Sequence, residues 1–181
     1  MTVHRQPRHL QQLAIRAAVL ACVGSVLPQL GASETDLPAI ARVRSTDPSL
    51  ADLIGRAAGQ SATFRRLLAT IEQTHGMVQI EVGMCGHGVR ACLKMWMETV
   101  GPNRFLRVAI DRRKGDSDVD VMASMGHELQ HAVEALSESG VVDGVGLYNF
   151  FTRFAPTRDD RFETNTAVHA GGDIRNELQR R

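Results

Sequence analysis

The chain has no excess of either charge: 21 Lys and Arg stand against 20 Asp and Glu, a formal net charge of +1. That balance gives no reason to invoke nucleic acid or a strongly anionic partner, which clustered basic charge would recruit. Internal repeats, low-complexity tracts and long charge runs are also missing, so a repeat array is not expected. No acid precedes Glu34. The apolar run over residues 17–30 is too short to span a bilayer comfortably, and no stable membrane span is expected. Cysteine is sparse, at three residues. What is present is 181 residues with 43% hydrophobic content, enough to bury one good core.

Residues 1–32 resemble a secretion signal. His4, Arg5, Arg8, His9 and Arg16 make a basic start, the apolar run follows, and Pro28, Gly31, Ala32 and Ser33 resemble the approach to a cleavage site. Val19-Leu20-Ala21-Cys22 also resembles a lipobox, so an anchor at Cys22 is the alternative, and an attached amphipathic helix is a third. Removing residues 1–32 takes three Arg from the 21 basic residues, and the 18 left against 20 acids make the domain at 33–181 slightly acidic. A secreted or periplasmic location follows. There Cys85 and Cys92 are expected to pair, stapling a hairpin end around Gly86 and Gly88. A metal site using Cys85, His87 and Cys92 would lack a recognisable fourth ligand.

The chemistry concentrates in His127-Glu128-Leu129-Gln130-His131, an HExxH motif. In a helix, residues four apart share a face, so His127 and His131 can offer two imidazole nitrogens to one ion. Glu128 lies beside them, where a carboxylate can take a proton from water at the open coordination position. The surrounding segment has helical periodicity: Met122, Met125, Leu129, Val133 and Leu136 recur at steps of three and four. Ser117 with Asp120 reads as a capping box, and SESG at 137–140 as the stop, which predicts about five turns.

This helix resembles the active-site helix of the zincin metallopeptidases, in which both histidines bind zinc and the glutamate is the general base. The metzincin branch would need Gly where this chain has Glu134 and His or Asp where it has Ser137. The gluzincin branch takes a third ligand, Glu, from a later helix, and at thermolysin-like spacing it would fall near Phe151, in a stretch without acids. The resemblance therefore implies a gluzincin-like protein with a longer insertion, at the level of architecture over about residues 77–178.

The rest of the chain reads as an α+β domain. Asp47-Pro48 opens a first helix carrying Leu50, Leu53 and Ile54, and 61–74 repeats the pattern with Phe64, Leu67, Leu68 and Ile71. The period then falls to two in Val78, Ile80 and Val82, less cleanly over 93–100, and again in Leu106, Val108 and Ile110. These three runs predict a small antiparallel sheet, which in the zincin resemblance backs the HExxH helix and can pair with extended substrate. A terminal helix from about residue 159 carries Ala167, Ala170, Ile174 and Leu178, and Glu163 extends that apolar stripe by four. A carboxylate there is costly to bury unless paired or bound to metal, which makes Glu163 the expected third ligand. Glu134, one turn beyond His131, sits too far along the axis to join both histidines and suits an outer role or a plain salt bridge.

The expected reaction is zinc-dependent peptide hydrolysis with Glu128 as general base and His127, His131 and Glu163 as ligands, on a peptide or protein substrate. Tyr148 and His169 are candidate oxyanion donors, and Arg153 and Arg158 could meet a substrate carboxylate. A metal-dependent hydrolase of another amide and a non-catalytic zincin-fold binding protein are the other classes the pattern allows.

Overall fold

The computed structural model describes residues 41–86, 88–154, 157–158 and 161–180, with backbone alone at 157, 158 and 161. Residues 1–32, expected to be a secretion signal, with Cys22 among them, and His87 lie outside the described residues. The fold is α+β, with a mixed four-stranded sheet, a two-residue ribbon and five helices among the described residues. None of those helices is long and apolar enough to cross a membrane.

A short strand β1 (Val43–Ser45) enters the sheet. Helix α1 (Pro48–Gln60) starts as Asp47 predicts: its carboxylate accepts from the amides of Ser49 and Leu50 at 2.9 and 3.0 Å, and Pro48 occupies the first turn. Helix α2 (Ala62–Glu72) follows at once, capped by Ser61. Together they carry the chain back to β2 (Gly76–Val82), which lies parallel to β1.

The expected antiparallel arrangement is corrected here. Strand β3 (Ala91–Val100) does not pair with β2; β4 (Asn103–Ile110) inserts between them, parallel to β2 and antiparallel to β3, giving the order β1-β2-β4-β3. Burial explains the order. Val78, Ile80, Val108 and Ile110 are fully buried, so β2 and β4 take the centre, whereas β3 exposes Met95 and Trp96 and is left at the edge. The hairpin that does form is β3–β4. Gly101 at φ 58° followed by Pro102 joins Val100 to Asn103 across two residues. The register of β3 shifts between Leu93 and Met97, the stretch where its alternation is least clean.

Helix α3 (Asp118–Ser137) is the centre of the molecule, touching α1, α2, α5, β3 and β4. Ser117 caps it, accepting from the Asp120 amide at 3.1 Å. Met125 and Leu129 are fully buried, each contributing about 1.5–3 kcal/mol by leaving water. Its far end is held by a residue the sequence does not mark: Arg104 of β4 donates to the carbonyls of Glu138 at 2.7 Å, Val141 at 3.0 Å and Leu136. Helix α4 (Gly144–Phe154) follows, where the sequence shows only an apolar cluster. Its two early glycines argue against helix, yet Leu147 and Phe151 are buried four apart. A Cβ at Gly144 would come within 3.2 Å of the Met95 carbonyl, so the small residue lets α4 approach β3. After the ribbon β5 (Thr157–Arg158) and β6 (Arg161–Phe162), helix α5 (Asn165–Gln179) buries Ala167, Ala170, Ile174 and Leu178 as the periodicity predicts.

Candidate metal centre

His127 and His131 lie side by side on α3, ring centroids 4.9 Å apart. Glu163 comes to them from outside helix α5, which starts at Asn165 and not near residue 159 as expected. Thr164 is the N-cap of α5, accepting from the Ala167 amide at 3.2 Å, so Glu163 precedes the helix instead of extending its stripe. The side chain arrives all the same: Glu163 Oε2 is 3.2 Å from His127 Nε2, and ligand atoms of His127, His131 and Glu163 all lie within 4.8 Å of one another.

The approach of α5 depends on two glycines. A Cβ on Gly126 would overlap the end of Ile174, and one on Gly171 would come 3.3 Å from His127 Cβ and 3.4 Å from the Ala123 carbonyl. The reciprocal fit of Ile174 over Gly126 and His127 beside Gly171 sets the helices close enough for the cap of α5 to reach the ligand pair. Gly171 and Gly172 inside a helical pattern are the signal from which this close packing could have been read.

Glu134 ties the parts together. Its carboxylate lies 3.2 Å from His131 Nδ1 and accepts from Gln130 Nε2 at 3.3 Å, Thr164 Oγ1 at 2.8 Å and Thr166 Oγ1. With the proton on Nδ1, His131 presents Nε2 as a lone-pair donor toward the cluster. Burial pushes the Glu134 carboxyl up, but the bonds from His131, Thr166 and Thr164 outweigh it and hold it below its ordinary value. One side chain thus orients His131, a candidate ligand, and anchors the turn that carries Glu163.

Glu128 is buried behind the cluster, and its Oε2 accepts from the Leu93 backbone amide of β3 at 2.6 Å. Burial raises its pKa, opposed by the nearby His131 and His127 and by the Leu93 N–H, with Glu163 adding to the rise. For His127 burial lowers the pKa, but the contact with Glu163 and the charges of Glu128 and Glu134 leave it raised.

The donor set fits a small divalent ion. Zinc takes imidazole nitrogen and carboxylate oxygen at about 2.0–2.2 Å, which places tetrahedral neighbours roughly 3.3 Å apart. The His127–Glu163 separation of 3.2 Å is close to that spacing, and the His131 ligand atom lies within 4.8 Å of both. The cluster opens to a cleft on both sides. One arm, about 530 Å³, is lined by Gly88, Arg90, Arg113, Asp116, Gly172 and Arg175, and the other, about 260 Å³, by Leu93, Met95, Phe151 and Phe162. His127, Glu128 and Glu163 line both.

The two candidate oxyanion donors are not brought to this cleft. Tyr148 is half-exposed and packs edge-on against Phe162, and His169 is on the exposed face of α5; neither lines an arm. Arg153 is exposed on α4 and lines neither arm, and the side chain of Arg158 lies outside the described residues. Cys85 and Cys92 do pair, with Cα atoms 5.6 Å apart, but the bridge closes the β2–β3 connection that forms one wall of the cleft, not a hairpin end. The chain matches no protein-family model, no curated protein and no solved structure.

Proposed function

We propose that this protein is a zinc-dependent peptidase of zincin-like architecture. The observation that carries the reading is the convergence of His127, His131 and Glu163 at one point, with the buried Glu128 adjoining them in an open cleft. A site serving only to tie two helices together would need its ligands alone, not a carboxylate held beside them facing both arms of a cleft. When bound, zinc supplies Lewis-acid polarisation of a carbonyl and makes water nucleophilic at neutral pH. Glu128 accepts the proton of the attacking water and returns it to the departing amine. The Leu93 amide fixes one of its oxygens and leaves the other for that proton. Glu134 keeps His131 in the ligating tautomer. The Cys85–Cys92 pair supports work in an oxidising compartment, outside the cell or in the periplasm.

The test is paired. About one zinc per chain in wild type, lost in His131→Ala, with peptide hydrolysis abolished in Glu128→Gln while zinc stays bound, is the expected result. Full hydrolysis by Glu128→Gln, or a chain that takes up no zinc, would overturn the reading.

A further inference from the structure

The cleft is chemically two-sided, and the metal cluster sits at the junction. In the larger arm the walls from the β2–β3 connection, the loop after β4 and α5 bring three arginines together. Arg90 is engaged: its Nη2 holds Asp116 at 2.9 Å. Asp116, the one carboxylate in that arm apart from Glu128 and Glu163, also accepts from the Arg113 backbone amide at 2.8 Å and is thereby occupied. Arg113 itself is different. Its guanidinium lies 3.7 Å from the Cβ position of Gly88; its charge acts on Asp116 from a distance, but it makes no ion pair within 4 Å among the described residues. Arg175 touches Asp120 at 3.1 Å through one nitrogen, and a guanidinium has five N–H donors, so it too has donors to offer. Gly172 leaves the floor between them open, since a Cβ there would meet nothing within 4 Å. The opposite arm is apolar, built from Leu93, Met95, Phe151 and Phe162; the ammonium of its Lys94 is taken by the Met84 carbonyl at 2.6 Å.

Resting on the peptidase reading, we propose that the Arg113–Arg175 arm binds a carboxylate. The site then prefers amides with an acidic group on one side of the scissile bond and an apolar residue on the other. Planar guanidinium groups suit a carboxylate because two parallel N–H donors meet its two oxygens. The carboxylate can be an Asp or Glu side chain or the free end of a chain, and the two sources are separable by experiment. Glu128 and Glu163 would repel such an anion, but a divalent cation at the junction offsets them, so the arm works with the metal in place.

The experiment uses the full-length, zinc-loaded chain carrying Glu128→Gln to stop turnover, and four fluorescent peptides that differ only in Glu or Gln at one position and in a free or amidated C-terminus. Binding is read by anisotropy. The peptide bearing the recognised carboxylate binds about 1.5- to fivefold tighter than its neutral match, as exposed charge pairs give, and the margin shrinks in high salt. Comparison of Glu-amide with Gln-acid identifies the source. The margin disappears when Arg113→Gln and Arg175→Gln are added, both being exposed positions whose folding a thermal melt checks. Equal affinity for all four peptides, no binding of any, or a preference that survives the double substitution overturns the proposal. The peptidase reading is judged separately: wild type that cleaves peptides without regard to acid loses only the arginine arm, whereas a zinc-loaded wild type that cleaves none loses the peptidase reading whatever the binding data say.

Discussion

Glu134→Gln isolates the clasp between His131 and the start of α5 and leaves every ligand in place. The amide keeps an oxygen for Thr164, which donates at 2.8 Å. Its NH2 group, however, cannot accept from His131 Nδ1, now 3.2 Å from a carboxylate oxygen. His131 would then favour the tautomer with its proton on Nε2, the nitrogen that must be bare to ligate. Loss of such an outer carboxylate costs about 10–100-fold in metal affinity. At free zinc 100 times the wild-type Kd, binding adds about 2.7 kcal/mol to wild-type stability and only about 0.4–1.4 kcal/mol to the variant. At roughly 2–4 °C per kcal/mol for a chain of this length, the zinc-induced rise in Tm falls from about 5–11 °C to about 1–6 °C. Thermal unfolding with chelator and with buffered zinc gives the difference, and competition with a chromogenic chelator gives Kd directly. A zinc Kd within twofold of wild type would refute the role assigned to Glu134.

Three further outcomes concern the frame. Arg104→Ala removes donors from the part-buried carbonyls of Leu136 and Val141 and the exposed one of Glu138, and at about 0.5–1.5 kcal/mol for each part-buried bond it should cost about 1–3 kcal/mol in urea unfolding; a loss below about 0.5 kcal/mol would mean that water replaces it. Glu177 accepts from Ser61 Oγ at 2.5 Å, Thr63 Oγ1 at 2.8 Å and the Thr63 amide at 3.1 Å. Burial raises its carboxyl, but those bonds prevail and leave it below the ordinary value. Its contribution is therefore complete above the unfolded-state pKa of about 4.3 and is lost as pH falls through the lower folded value. Glu177→Gln should be clearly less stable than wild type at pH 7 and approach it in strong acid, whereas a pH-independent gap would refute the charge-assisted account. Cys85→Ser with Cys92→Ser should cost about 2 kcal/mol for the short loop the bridge closes, and denatured, unreduced wild-type domain should show no free thiol from this pair.

The chain's own patterns reach a long way into this structure and stop at identifiable places. Apolar spacing and caps locate α1, α2, α3 and α5, because each is decided within a few residues: Asp47 before Pro48, Ser117 before Asp120. The alternation of β2 and β4 is equally legible, and that of β3 less so across its register shift. Which strand lies beside which is not, since Val78 and Val108 look alike as alternating residues and only the shared burial of both central strands places β4 beside β2. The ligand set shows the same division. His127 and His131 are joined by one helical turn and are readable as a pair. Glu163 can be singled out as a candidate, but the apolar stripe is the wrong reason, because Thr164 ends the helix before reaching it. What brings it in is a relay of contacts between residues far apart in the chain: Ile174 over Gly126, Gly171 beside His127, and Glu134 holding Thr164 and Thr166. Apart from His127, none of these residues is a candidate ligand, and each looks ordinary alone. The cap of α5 and the tautomer of His131 depend on the same carboxylate, so the placement of the second and third proposed ligands is tied to one group. Disturbing it should loosen both together, and for that reason Glu134 discriminates more sharply than the ligands themselves between a built metal centre and a chance meeting of two histidines and an acid.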